Sequence, residues 1–574
     1  MTSAAAVAFS FAVAPANAQV VITDGQTTPV IDPAGGVTVA AGVTSIISDG
    51  GAGQPFNSNI AYENQGNDGT TIDNAGILIN NDTNDQNAVV SLDNSEDQIT
   101  IINSGTFQGI NGVIFTEGDE TNITNSGLIE GTGNQDEGVI YYDREVDGLL
   151  NTITNSGTIR SIGGPTLGFD VLLGTDPSSG DFTDEEGIGR FTIINTATGV
   201  IENLDASGGI DDSDSDAINF NGDPGTQNGQ ARGCLEDSGT RVLCQAEVVI
   251  DNAGRISAAR DSSSNAAIRV EQDVVISGSI TNQAGGIISA AENAILIDAA
   301  HADHDLIIFN AGTIDGDTSS GVFIRGAGVT VDNLAGGVIS GRDEGIKIED
   351  VGTITVDIGP SNETLTVTPL NNSITNAGTI SGGTFSVDLA GSGEAFTFEQ
   401  FGGGVLDGDF NGSSFTDTFN VSMGTFTLTD DILNDVNVNV LSGGELAFDT
   451  SDGVPTIDGD LIVDSGGALA FTLTADPAAF SSIVTGDVTL ATGSFVNIDA
   501  ASQVTAVGQT FNLIDVGGTL ANGSTIDASN IDDTSFLLNF VPVADSSGNL
   551  VVEAVAATSP PPPPPPPVLS LIHI

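Results

Sequence analysis

Tryptophan is absent from this sequence, tyrosine occurs three times, and methionine and cysteine occur twice each. Lysine occurs once, at Lys347, and the 574 residues carry 11 basic against 77 acidic side chains, a formal net charge of −66. Nucleic-acid binding needs basic patches that neutralise phosphates, so this balance excludes that partner class. Two cysteines are too few to build a structural zinc site. No apolar run reaches the ~20 residues needed to cross a bilayer as a helix. The acidic segments also lack the D-x-[DN]-x-[DN]-G loop with a distal Glu that would hold calcium. The charge instead favours a soluble, self-repelling surface outside the cell.

What is present points to strands. Glycine occurs 74 times, and Ile, Val, Thr, Asn and Asp are abundant, a mix poor in helix formers and rich in β-branched and turn residues. A hydrophobic content of 39% supports a long core rather than disorder. The N-terminus carries an apolar, Ala-rich run from Ala4 to Ala14, then Pro15-Ala16-Asn17-Ala18, a small-x-small site before Gln19. These features read as a signal peptide over 1–18; no basic residue precedes the run, so its start is expected upstream of Met1. Cys234 and Cys244 bracket LEDSGTRVL and are expected to close a surface loop as a disulfide in an oxidising compartment.

Self-similarity decides the fold. A unit Ile-x-Asn-x-Gly-x-apolar recurs at Asn74, Asn103, Asn125, Asn155, Asn252, Asn310 and Asn376, for example TIINSGTF, NITNSGLI and SITNAGTI. Three copies carry two extra residues: TIINTATGVI at Asn195, SITNQAGGII at Asn282 and TVDNLAGGVI at Asn333. Every copy has Ile two residues before the Asn except that at Asn333, where Val331 stands. An insertion of two preserves the inward face of a strand, whereas an insertion of one would invert it. The Ile, Asn, Gly and following apolar residue therefore face one way through a bend. Asn and Gly suit that bend because both tolerate left-handed backbone, and Gly admits close approach of a neighbouring coil. Stacked Asn amides can also hydrogen-bond to one another.

A second strand follows each Asn, as in GVIF at Gly112, AIRV at Ala267 and GVFI at Gly321. Asn-to-Asn spacing is mostly 22 to 30, with gaps of 40, 57 and 43. Fixed strands with variable connections predict a right-handed parallel β-solenoid with projecting loops over 19–384, the projections near 161–190 and 205–245. At ~4.8 Å per coil, residues 19 to 556 would build a rod on the order of 100 Å. From about Phe385 the pattern becomes Gly-Asp-apolar-x-apolar, as in GDLIVDSGGALAFTL, and Phe415, Phe419, Phe426, Phe448, Phe471 and Phe480 predict a more stable β-helical segment over 385–557. Pro560 to Pro567 form a stiff spacer within 558–567, and VLSLIHI (568–574) reads as a truncated or non-native tail.

These parts in this order resemble bacterial autotransporter passengers. The resemblance rests on the signal segment, the N-x-G solenoid, ADPAAFSSIVTGDVTLATGSFVNI (Ala475 to Ile498), VGQTFNLIDV (Val507 to Val516) and the proline linker, and it covers nearly the whole chain. It implies an outer-membrane β-barrel translocator as partner, display at the cell surface or release outside the cell, and a C-terminal segment that folds first after export. The barrel itself is not in this sequence. The expected role is a noncatalytic adhesin or structural surface protein, without cofactor or metal, whose ligand is an unknown surface or a sister cell.

Enzymatic readings are weaker. Asp464-Ser465-Gly466-Gly467 echoes a serine-protease nucleophile turn, but it aligns with plain glycine turns such as LSGGELAF, and a triad needs a His. His301-x-x-His304, with Asp303 and Asp305, lacks a defined further metal ligand and reads as a loop. The alternative retained is a pectinase-like polysaccharide enzyme, with Asp211, Asp212, Asp214 and Asp216 as the acid and base candidates. Against it, Asp216-Ala217-Ile218 repeats the strand opening seen at Asn265 and Asn293, and the Gly-His-Gly element of that family is absent.

Overall fold

The computed structural model describes residues 20–557 except 26–29, 32–35, 48–61, 65–68, 82–87, 93–97, 111, 117–119, 134–137, 143–149, 172–188, 205–214, 222–233, 236–240, 243, 260–264, 272–273, 298–304, 327, 350–353, 357–362, 366–371, 452, 474–477, 501–505, 523–527 and 536–537. The chain divides into two units, Met1–Thr418 and Phe419–Ile574. Both are built of β-strands, and helix among the described residues is limited to the 3-10 turn Ala528–Asn530.

Each coil of the first unit contributes three strands, one more than the repeat suggests. Asn122–Asn125, Leu128–Gly131 and Ile140–Tyr142 make one coil. Each pairs in parallel with its counterpart in the next, Ile123 opposite Ile153, Ile129 opposite Ile159 and Ile140 opposite Leu167. A first stack runs in this way from Val20–Ile22 to Thr397–Phe401. A second runs from Thr44–Ile47 to Val405–Asn411. A third runs from Val30–Ile31 through Glu344–Glu349. The long strand Thr379–Gly391 pairs with both Val338–Gly341 and Glu344–Glu349, so the second and third stacks merge there. This is a parallel β-solenoid.

Alternation within the strands explains the packing. In Thr100–Asn103 the second and fourth residues are buried and Ile102 is exposed. Ile101, Ile123 and Ile153 lie over one another, each withdrawing a side chain from water at about 1.5–3 kcal/mol. Aromatic residues also enter this core. Tyr142, Phe169, Phe191 and Phe220 cluster with ring centroids 4.7 to 6.3 Å apart. Aromatic plugs are therefore not confined to the C-terminal segment, and Phe415, expected there in the core, is 45% exposed. Phe480 is only half-buried. The windows 161–190 and 205–245 are likewise not wholly projections, since Leu167–Asp170 and Ile218–Asn221 are strands of the third stack.

The second unit repeats the plan with different corners. Val436–Val440, Leu461–Val463, Val488–Leu490 and Leu520–Ala521 form one parallel stack. Gly424–Leu428, Gly444–Phe448, Ala468–Thr472, Phe495–Asp499 and Ile531–Asp533 form another, in which Phe448 stacks on Phe471 at 5.2 Å. The Gly-Asp signature places a carboxylate at a corner, where Asp460 Oδ1 accepts the Asp487 N–H at 2.7 Å. Asp487 Oδ1 in turn accepts the N–H and hydroxyl of Thr519, which hold its carboxyl below the usual range. Antiparallel strands Leu538–Val543 and Leu550–Ala556 end the unit against Thr510–Val516.

The glycine of the N-x-G unit is required by contact, not by left-handed backbone. A Cβ on Gly127 would lie 2.1 Å from the Gly105 carbonyl oxygen, and one on Gly157 would lie 2.2 Å from that of Gly127. Positive φ belongs instead to the extra glycines of longer copies, such as Gly285 and Gly336, both at +87°. Gly127→Ala is accordingly expected to cost at least about 2 kcal/mol, because backbone must move. Gly285→Ala, at a left-handed position with open space around it, is expected to cost only about 1–2 kcal/mol. Chemical denaturation of the two variants checks this order.

Candidate functional site

The residues that recur most strictly lie at the corner between the first and second stacks. There the asparagines form one continuous line. Asn74 Nδ2 donates to Asn103 Oδ1 at 2.7 Å, Asn103 to Asn125 and Asn125 to Asn155 at 2.8 Å, and Asn155 to Asn195 at 2.9 Å. Asn195 donates to Asn252 at 2.8 Å. Asn252, Asn282, Asn310 and Asn333 each donate to the next, ending on Asn376, at 2.9 Å. The second Nδ2 hydrogen goes to a backbone carbonyl of that same next coil, at Thr106, Leu128, Thr158 and Val200 for the first four, 3.0–3.1 Å away. In short copies Oδ1 also accepts the N–H of the glycine two residues on, as at Gly76, Gly127 and Gly254. All ten side chains are buried. A net ~1 kcal/mol per bond, against ~1–3 kcal/mol for each orphaned group, makes this line a major constraint on register.

Gln400 extends the line, its Oε1 accepting Asn376 Nδ2 at 3.0 Å. The sequence carried a signal for it: Phe398 two residues before, and the double glycine Gly403-Gly404 spaced as in the longer copies. At the other end Val39 pairs with Asn74 in register, so no amide precedes it.

A second polar series, missed in the sequence, lines the corner between the second and third stacks. Asp216 is fully buried; its Oδ1 accepts the Ala266 N–H at 2.6 Å, and its Oδ2 lies 3.8 Å from Arg269 Nη1. Higher in the stack Asn293 Oδ1 accepts the Ser320 N–H at 3.2 Å, and the Ser320 hydroxyl donates to Glu344 Oε2 at 3.0 Å. Burial pushes the Glu344 carboxyl up, opposed by Ser320 and Lys347. Burial alone would lower Lys347, but the hydrogen bond and charge of Glu349 raise it. Glycines close this corner tightly, since a Cβ on Gly316 would lie 2.1 Å from the Ser320 carbonyl oxygen.

The outward side chains of the coils spend the scarce cations on neighbouring carboxylates. Arg160 bonds Glu202 at 2.6 Å and lies 3.6 Å from Glu130, to which Gln108 also donates. On the third stack Arg269 reaches Glu271 at 3.3 Å, and Arg325 and Lys347 both lie over the Phe323 ring while meeting Glu349.

The remaining candidates separate as follows. Asp464 to Gly467 form a stacked turn in which Gly467 N–H returns to the Asp464 carbonyl and Gly443, Gly466 and Gly493 are hydrogen-bonded from coil to coil. Asp211, Asp212, Asp214, His301 and His304 lie outside the described residues. The backbone of Cys234–Leu235 pairs antiparallel with Arg241–Val242, and Cys244 opens the strand Cys244–Asn252; the cysteine side chains lie outside the described residues. No protein-family model matches this chain, and no curated protein matches it.

The line of asparagines gives a direct test. Asn155→Ala strands one Asn125 donor and the Asn195 acceptor and is expected to cost about 2–4 kcal/mol. Asn155→Asp should cost more, because a carboxylate cannot donate and would be a buried charge. Asn122→Ala, at an exposed side chain, should stay within about 0.5 kcal/mol. Denaturant midpoints of the three variants measure this.

Proposed function

We propose that this chain is the exported passenger of a bacterial autotransporter and works at the cell surface, or after release, as a noncatalytic adhesin or structural protein. The observation that carries the reading is where the repeated chemistry goes. The polar residue present in nearly every coil of the first unit points inward and bonds to its own kind, so the repeat serves architecture rather than a reaction. Export is supported by the Ala-rich run with its small-x-small site and by the proline spacer. In this reading an outer-membrane β-barrel carries the chain out, Cys234 and Cys244 form a disulfide, and the ligand is a surface or a sister cell. A polysaccharide-cleaving role draws less support, because a catalytic carboxylate must reach its substrate, whereas Asp216 is buried and holds the backbone of the next coil.

Adhesion of the purified chain to cells and matrix tests the proposal. Binding is expected, and it should fall when segments 172–188 and 222–233 are shortened with the strands left intact. Release of reducing sugars from pectin-like polymers, abolished by Asp212→Asn, would favour the enzyme instead.

A further inference from the structure

We propose that Gln400 is the terminator of the asparagine line, a residue whose extra methylene lets the last amide close on its own turn. Every asparagine from Asn74 to Asn376 donates from Nδ2 to the coil that follows, as Asn376 does to Gln400 Oε1 at 3.0 Å and the Val405 carbonyl at 3.2 Å. Asn103, Asn125 and Asn195 in addition reach the glycine carbonyl of their own turn at 3.2–3.5 Å. Gln400 accepts from below in the same manner but does not pass its donor on. Its Nε2 turns back to the carbonyl of Phe401, the adjacent residue, at 3.1 Å. The turned-back head fits because residue 404 is glycine: the nearest atom to a Cβ there would be Gln400 Nε2, at 2.3 Å. At the matching glycines of the longer copies the amide head of the same copy is just as near, Asn282 Oδ1 at 2.5 Å from a Cβ on Gly286 and Asn333 Oδ1 at 2.6 Å from one on Gly337, but there the oxygen faces the glycine, whereas at Gly404 it is the nitrogen.

The need for such a residue follows from the direction of the line. All the amides point their donors the same way, so the final one has, among the described residues, no further asparagine of the series to receive them, and Gln400 Nε2 makes its bond within its own turn instead. Gln400 is fully buried, where an orphaned donor is costly. The opposite end needs no such device. Asn74 presents its oxygen there, the Gly76 N–H satisfies it at 3.1 Å, and the residue in register below is the aliphatic Val39. Two residues that break the repeat therefore bound it, and only one must return a donor.

The consequence runs against intuition. Replacing Gln400 by the residue found at this position in every other copy from Asn74 onward should weaken the coil. The test uses the full chain with Gln400→Asn, which keeps the amide but shortens its reach, and Gln400→Met, which keeps the reach but removes the amide. Hydrogen exchange followed by mass spectrometry reads the strand Ser373–Asn376, with Asn122–Asn125 as a distant control. Both variants are expected to speed exchange in Ser373–Asn376 by about tenfold or more while the control strand keeps its protection. Wild-type protection with Gln400→Asn would show that the line ends equally well in asparagine and would overturn the proposal. Wild-type protection with Gln400→Met would show that packing alone suffices there, with the same result. Equal loss in both strands would contradict a local terminator.

Discussion

A primary amide has two donors and one acceptor oxygen, and burying it is costly unless all of them are used. Stacking identical coils solves this in one direction. Each asparagine finds, one coil on, the oxygen of its twin and a carbonyl held at a fixed offset, while its own oxygen takes the amide from below and, in several short copies, a glycine N–H. The solution works only if the coils are in register, so the same bonds that satisfy the amide forbid slippage. It also works only if the backbone passes close behind, which is why the corner glycine has no room for a Cβ. Register, corner shape and glycine are thus three consequences of one buried group.

The rest of the first unit follows from that registration. With asparagines aligned, the isoleucine two residues earlier and the apolar residue after the glycine align as well, and the core becomes columns of like side chains. Connections elsewhere in each coil are then free to vary, as the 57-residue spacing from Asn195 to Asn252 shows without any break in the line. Outward positions need only solubility, and there arginines such as Arg160 and Arg190 lie against carboxylates of the adjacent coil.

The asparagine line was legible because its copies share one parity, and parity is what a strand exposes to sequence reading. What stayed hidden has particular causes. The coil shows two repeat strands on paper and three in space, because Leu128–Gly131 follows the bend without an obvious break from Asn122–Asn125. The shared strand opening at Asp216, Asn265 and Asn293 was visible, but its role as a polar corner was not, because its occupants differ from coil to coil, with Asp216, Asn293 and Ser320 bonding through different atoms. Gln400 was missed because it terminates the pattern instead of repeating it. The expectation for Phe415 failed because a run of phenylalanines does not say which faces inward. Of the two reasons the sequence offered for the corner glycine, close approach of the neighbouring coil is the one the structure uses, and left-handed backbone is not.

The side-chain amides of these asparagines are buried and bonded to one another. Side-chain amide exchange on protein labelled with 15N at asparagine measures this directly. The expected result is a set of strongly protected NH2 pairs, assignable by substitution to positions such as Asn125, Asn155 and Asn282, alongside fast exchange from exposed residues such as Asn122. Uniformly fast exchange from all asparagine side chains of the folded protein would contradict the account.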